Sequence, residues 1–290
     1  MQSHEVTTTE YLSPAPAVGL AALLDLPADA ITEGWPLPPL WHWAYLLDRP
    51  RQSELGPDGH PVHGVPEPPR PGLHRMYAGG RVTTHRPLRL GLPAISAIQV
   101  TGVRERSGRS GPMTIVTTTR TIEQHGGTAI TDEVDILYRE PTPLPPAAPA
   151  EDPAQPDDPA QPDDPAARGA TAWTYAVDET LLFRFSALTF NAHRIHYDVD
   201  YCRAEGYAGL VVHGPLQALL MAQHLYSEHG YPEPAPAPAV PSTFQYRLVA
   251  PLILGQGLVV TRHPAGGDET AADVRDSSGR QTATGLLLHR

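Results

Sequence analysis

The stretch that decides the architecture is Phe183-Arg184-Phe185-Ser186-Ala187-Leu188-Thr189-Phe190-Asn191-Ala192-His193-Arg194-Ile195-His196-Tyr197-Asp198. After Tyr201 it continues as Glu205-Gly206-Tyr207-Ala208-Gly209-Leu210-Val211-Val212-His213-Gly214. It is a polar, histidine-rich segment between two apolar ones. On its N-terminal side Leu181 to Leu188 reads as a strand. On its C-terminal side Gly214 suits a cap and Pro215 a first helical position. Leu216, Leu219, Leu220 and the His224/Leu225 region share one face, and Gly230 before Pro232 is a stop. A helix so apolar is expected to lie buried in the curl of its sheet. Asp198 has the place of an N-cap for a short helix ending at Glu205-Gly206.

Working outward, the element after this helix has a counterpart far upstream. Pro251-Leu252-Ile253-Leu254-Gly255 echoes Pro87-Leu88-Arg89-Leu90-Gly91, and Pro215-Leu216 opens an apolar run as Pro39-Leu40 does through Leu47. Strand-like runs follow each Pro-Leu-x-Leu-Gly element: Ile95 to Val103, Met113 to Thr121 and Ala129 to Tyr138, then Leu258 to His263, Ala271 to Arg275 and Thr282 to His289. Each half therefore reads as one helix followed by an antiparallel meander, a duplicated unit in a chain of 290 residues. Between the halves, Pro141 to Ala167 is mostly Pro, Ala, Asp and Gln, with Pro-Ala-Gln-Pro-Asp-Asp starting at Pro153 and again at Pro159. With Leu144 its one aliphatic side chain larger than alanine, such a segment has too little apolar surface to offset its ordering entropy and reads as a linker. The expected division is 1–140, linker 141–167, and 168–290.

Composition excludes several classes. The formal net charge is −11, and six acids in the linker (Glu151, Asp152, Asp157, Asp158, Asp163, Asp164) supply more than half of it. A nucleic-acid partner is not expected. Every one of the 21 basic residues is arginine, so a Schiff-base lysine is absent. One cysteine, Cys202, permits no intrachain disulfide, which fits a reducing compartment. The first ten residues lack the marks of a leader, and no apolar run reaches the ~20 residues of a membrane helix. A cytoplasmic protein without a membrane partner is expected.

The run from Phe183 to Gly214 resembles the MaoC-like (R)-specific enoyl-CoA hydratases, whose motif is Asp-x-Asn-Pro-(Ile/Leu)-His followed by an apolar-apolar-His-Gly element. It is closer to the long, two-half subgroup of mesaconyl-C4-CoA hydratase, itaconyl-CoA hydratase and 3-hydroxyacyl-thioester dehydratase. That resemblance extends into Leu37-Pro38-Pro39-Leu40-Trp41-His42-Trp43, Leu55-Gly56-Pro57-Asp58-Gly59-His60-Pro61 and Met76-Tyr77-Ala78-Gly79-Gly80. It implies an α+β double hotdog fold, each half an antiparallel sheet wrapped around a central helix. It also implies a hydro-lyase that hydrates an enoyl-CoA or dehydrates a 3-hydroxyacyl thioester. A substrate of the mesaconyl-C4-CoA or itaconyl-CoA type is favoured, with a general fatty-acid 3-hydroxyacyl-thioester dehydratase as the alternative. The partner is then an acyl-CoA or other acyl thioester. No cofactor and no metal are expected, and a homodimer is compatible.

Carried over by position, His196 matches the family's catalytic histidine, and Asn191 stands where the shorter hydratases have an aspartate. An amide is no general base at neutral pH, so His196 would both take the proton from water and return one to the α carbon. Gly214 is the candidate backbone donor to the thioester oxygen, or else an ordinary helix cap. Arg184 and Arg194 suit a CoA phosphate or an acyl carboxylate, or else a solvated surface. His193 and His213 are candidate substrate contacts, His213 equally a structural histidine. Trp35, Trp41, Trp43 and Tyr45 suit an acyl tunnel or a core, while Tyr201 and Tyr207 read as packing residues. The first half is assigned a substrate-shaping role. Two other readings stay open: a non-catalytic acyl-thioester binding module, motivated by Asn191, and a metal-dependent hydrolase using His193, His196 and Asp198.

Overall fold

The computed structural model describes residues 5–70, 72–108, 111–140, 172–226, 241–266 and 269–289. The 141–167 linker and the Gly230/Pro232 stop lie outside the described residues. Strands β1 (Val6–Tyr11), β2 (His74–Thr84), β3 (Pro93–Gly108), β4 (Gly111–Gln124) and β5 (Gly127–Arg139) belong to the first half. Strands β6 (Ala172–Tyr175), β7 (Ser242–Leu248), β8 (Leu258–Gly266), β9 (Glu269–Arg275) and β10 (Gln281–His289) belong to the second. All pair antiparallel in one sheet of order β1-β3-β4-β5-β2-β7-β10-β9-β8-β6. Read from either end, the list gives the same connectivity, first, third, fourth, fifth and second strand of each half. That is a hotdog unit repeated, joined at β2–β7, where Gly79 faces Arg247 and Thr84 faces Ser242.

The Pro-Leu-x-Leu-Gly echoes occupy equivalent places. Arg89 bridges to Pro36 and Ile253 to Val211, while Gly91 and Gly255 both turn with φ near +80 to +90° (79° and 88°), a region that favours glycine. The join also depends on glycine. A Cβ on Gly79 would lie 2.4 Å from the Tyr246 carbonyl oxygen, and one on Gly80 2.3 Å from that of Glu133. Tyr77 and Tyr246 hydroxyls meet across the seam at 2.6 Å. The six meander strands expected from alternation lie inside β3, β4, β5, β8, β9 and β10.

Helix α4 (Gly214–Tyr226) is the central helix of the second half, packed on β7 to β10. Leu216, Leu219, Leu220 and Leu225 are buried there, each worth about 1.5–3 kcal/mol of transfer free energy. The expected N-cap and extent of α3 (Val199–Ala204) hold: the Asp198 carboxylate accepts from the Tyr201 amide at 2.9 Å, and the helix ends at Glu205.

Two expectations are corrected. Leu181 to Leu188 is not a strand but part of helix α2 (Glu179–Thr189). Asp178 caps it by accepting from the Leu181 amide, and Leu182 and Phe185 turn inward together. Nor is Pro39 to Leu47 a second central helix. Pro36, Pro38 and Pro39 supply no amide donors, Leu40 adopts a left-handed conformation (φ 66°), and only a 3-10 turn forms at Trp41–Ala44. The helix of the first half is instead α1 (Pro14–Leu23), which packs against α2 and that turn. The face of the first-half sheet carrying Tyr77, Ile98, Thr118 and Asp132 lines a cavity.

Candidate active site

The cavity, of about 930 Å³, is walled by both halves. Trp43, Tyr45, His60, Arg75, Tyr77 and Arg120 come from the first, and Phe185, Asn191, His193, His196, Tyr207 and Gly214 from the second. At its rim Phe183, Phe190 and Tyr197 are more than half exposed. Trp43 Nε1 donates to Asp132 at 2.8 Å, and its ring meets the edge of Tyr246. Trp43 and Tyr45 thus line the cavity, whereas Trp41 is fully buried beside Trp35.

The segment after α2 is shaped by Phe190, left-handed at φ 51°, which returns the chain so that the Asn191 amide bonds the Ser186 carbonyl at 2.9 Å. Asn191 Oδ1 accepts from the His193 amide at 3.0 Å. A 3-10 turn, Arg194–His196, then carries His196 inward. His196 is 6% exposed, and its Nδ1 donates to the Val211 carbonyl at 2.7 Å. That bond leaves the Nε2 lone pair free. Burial pulls the His196 pKa down to about 4, against the Val211 hydrogen bond, so the ring is neutral near pH 7.

Behind it, His213 is fully buried and stacks on His196 with ring centres 3.5 Å apart. Its Nε2 pairs with Ser186 Oγ at 2.9 Å, and burial holds its pKa well below the ordinary value. It supports His196 and does not line the cavity. Gly214 does line it, at the start of α4. A Cβ there would lie 2.0 Å from Leu248 Cδ1, so that side chain packs directly over the start of the helix.

The two flanking arginines are elsewhere. Arg194 is spent on the fold: it grips Asp198 at 2.6 Å, donates to the Pro57 carbonyl at 3.0 Å and lies over the Tyr201 ring. Arg184 is exposed on α2 and is not among the cavity residues. Asp198, engaged by Arg194 and Tyr201, is no metal ligand alongside His193 and His196. The cations that do face the cavity, Arg75 and Arg120, were not singled out in the sequence. Arg120 donates to the Leu46 carbonyl. The Arg75 guanidinium makes no hydrogen bond or ion pair with a described side chain.

A second group missed in the sequence comes from the loop Leu55–Pro61. Asp58 Oδ2 accepts from His60 Nδ1 at 3.0 Å, and the His60 ring lies 4.2 Å from that of His193, itself 5.7 Å from His196. Gly59, at φ 88°, presses on the motif so closely that a Cβ would be 1.9 Å from the Ala192 carbonyl oxygen, and the Arg194 amide bonds the Asp58 carbonyl at 2.9 Å. Burial raises the Asp58 carboxyl, but its contacts with His60 outweigh that and bring it to about 2. Burial lowers His60, and lowers His193 to about 2 with the help of the neighbouring rings. Among the described residues, Asp58, His60 and His193 are the set whose donor atoms, within 4.8 Å of one another, could hold a metal ion.

Comparison with known proteins decides the family. The profile of hydroxyacyl-thioester dehydratase type 2 matches residues 40–254. The chain belongs to this family. Mesaconyl-C(4)-CoA hydratase of Chloroflexus aurantiacus is 48% identical over 211 residues, 72% of this chain and 71% of that one. Members of this hydratase/dehydratase family are hydro-lyases acting on acyl thioesters, and this chain is one. Among solved structures, a MaoC-like dehydratase from Phytophthora capsici superposes with a TM-score of 0.65 at 15% identity, covering 100% of this chain and 96% of that one. A Mycobacterium tuberculosis protein described as a double hotdog gives 0.52 at 16% identity, covering 99% and 95%. These likenesses establish the double hotdog fold. Among the described residues no helix is long and apolar enough to cross a membrane.

Proposed function

We propose that this hydro-lyase adds water to the double bond of a short enoyl-CoA whose acyl group carries a free carboxylate, of the mesaconyl-C4-CoA kind. The observation that carries the chemistry is His196: neutral, with Nδ1 pinned to the Val211 carbonyl, in a cavity wall beside Asn191 and the first residue of α4. Its Nε2 takes a proton from water as the oxygen bonds to the β carbon. The double-bond electron pair moves onto the thioester oxygen, which the backbone at the start of α4 stabilises. His196 then returns the proton to the α carbon, so one residue serves both transfers. No cofactor enters this sequence. Asn191 and Gly214 act as water-positioning and oxyanion groups, respectively.

The substrate assignment is supported by the 48% identical mesaconyl-C(4)-CoA hydratase and by the guanidinium of Arg75 in the cavity wall, which no described side chain engages. Both halves contribute walls to one cavity, so the first half shapes the acyl pocket while the second carries the motif. A buried free thiol, Cys202, fits the reducing cytoplasm.

The test is loss of enoyl absorbance with mesaconyl-CoA, itaconyl-CoA and crotonyl-CoA, with products identified by mass. A gain of 18 Da on mesaconyl-CoA is expected. Preference for crotonyl-CoA would favour the general dehydratase, and binding without turnover a non-catalytic module.

A further inference from the structure

Asn191 leaves a gap in the chemistry. A water poised for attack has two hydrogens to place, and His196 accepts one. Asn191 Oδ1 is already turned to the His193 amide, so its NH2 can hold the water oxygen as a donor but takes no hydrogen from it. The first half brings in a second acceptor. The Asp58-Gly59-His60 turn is docked against the motif through the Gly59–Ala192 contact, and the Arg194 amide and guanidinium bond the Asp58 and Pro57 carbonyls. His60 lines the same cavity as His196 and Asn191.

We propose that His60, with its Nδ1 proton held by Asp58, is the second residue that accepts a hydrogen from the attacking water, and that Asp58 is its positioning residue. This rests on the hydratase reading above. The Asp58 contact fixes the same tautomer in His60 that the Val211 carbonyl fixes in His196: Nδ1 carries the proton and Nε2 the lone pair. Water donates one hydrogen to each Nε2. As the C–O bond forms at the β carbon and the π pair becomes the enolate, the O–H bond facing His196 breaks. That proton passes to His196 Nε2 and then to the α carbon. The hydrogen facing His60 stays on oxygen as the hydroxyl of the product. One water is consumed, and both histidines end as they began.

The experiment compares turnover of mesaconyl-CoA by the full chain and by His60→Leu, His60→Gln and Asp58→Asn, together with binding of a saturated acyl-CoA and 15N chemical shifts of the histidine rings. His60→Leu is expected to lower kcat about 100-fold, the range of a lost acid-base partner, with acyl-CoA affinity unchanged. His60→Gln, whose side-chain carbonyl can accept, should recover part of the loss. Asp58→Asn can donate to Nδ1 and so move the His60 proton to Nε2. It should lower kcat while the nitrogen shifts report that switch, which a purely structural role would not produce. A folded His60→Leu chain within twofold of the parent would overturn the inference. So would one metal ion per chain whose removal by EDTA abolishes activity, because Asp58, His60 and His193 would then be its ligands. A parent chain inactive on all three enoyl-CoA esters would overturn the functional reading itself.

Discussion

His196 Nδ1 and the Val211 carbonyl oxygen are 2.7 Å apart, and the Val211 amide bonds back to the Ile195 carbonyl at 2.9 Å. The residue before His196 and the backbone that orients its ring are thus tied together. The tautomer of the proposed base is set by main chain, which no side-chain substitution at position 211 removes. Val211 also bridges to Ile253, so the Pro-Leu-x-Leu-Gly element anchors the same backbone.

His196→Ala is expected to lower turnover at least ~100-fold with little change in acyl-CoA affinity. Asn191→Ala should do less, since the base remains. Asn191→Asp keeps an acceptor for the His193 amide and adds a negative charge near His196. It should retain reduced activity and move the acid limb of the pH profile upward from about pH 4, because an anion favours imidazolium. Steady-state rates across pH 4–9 check all three.

Stability should fall as the solution is acidified. His193, His196 and His224 have folded pKa values of about 2, 4 and 3, burial being the first cause in each, and His60 and His213 are lowered too. Below the unfolded value of ~6.5 the unfolded chain binds protons that the folded chain does not. Stability contributed by neutral His196 is therefore complete above that pH and is lost as pH falls toward 4. The slope approaches about 1.4 kcal/mol per pH unit for each such histidine. Urea titrations between pH 8 and 4.5 measure it; a flat profile would contradict the buried neutral rings.

Gly59→Ala should detach the loop from the motif. The new methyl would meet the Ala192 carbonyl at 1.9 Å with the backbone at φ 88°, a combination expected to cost at least about 2 kcal/mol. Loss of activity should accompany a lowered denaturation midpoint. Ala192→Gly leaves that carbonyl in place and should not rescue it.

Arg75→Met removes the cavity guanidinium while keeping a long side chain. The ratio of kcat/KM for mesaconyl-CoA over crotonyl-CoA should fall at least tenfold, since a charge-assisted contact of ~1.5–3 kcal/mol is lost for the dicarboxylic acyl group only. Equal losses on both esters would assign Arg75 to the shared thioester portion.

Much of the second half was legible. The α4 face repeats at helical spacing and is punctuated by Gly214 and Pro215, and the meander strands alternate. The α2 segment was misread because Leu181-Leu182-Phe183-Arg184-Phe185 mimics a half-buried strand. Its helical signal was the Asp178-Glu179 start, with Leu182 and Phe185 three apart. In the first half, the apolar run from Pro39 to Leu47 reads as a helix, but Pro36, Pro38 and Pro39 and the left-handed Leu40 leave only a 3-10 turn. His196 and Asn191 could be placed by motif. His60 and Arg75 could not, since their meaning lies in packing between segments more than a hundred residues apart. The nearest local signal was Asp58-Gly59-His60, a turn sequence with a carboxylate two residues before an imidazole.

The mirrored strand order around the β2–β7 seam has a consequence for how such a chain can change. Two identical subunits would each have to conserve every reactive group, because a substitution strikes both copies at once. Once the copies share a polypeptide they can drift apart under separate selection. Here one copy has kept the long helix and its histidine motif. The other carries the shorter α1 and a 3-10 turn, and it lends a loop and aromatic side chains to the cavity. Acyl-group preference can therefore be altered through residues such as Trp43, Tyr45 or Arg75 without disturbing the opposite wall.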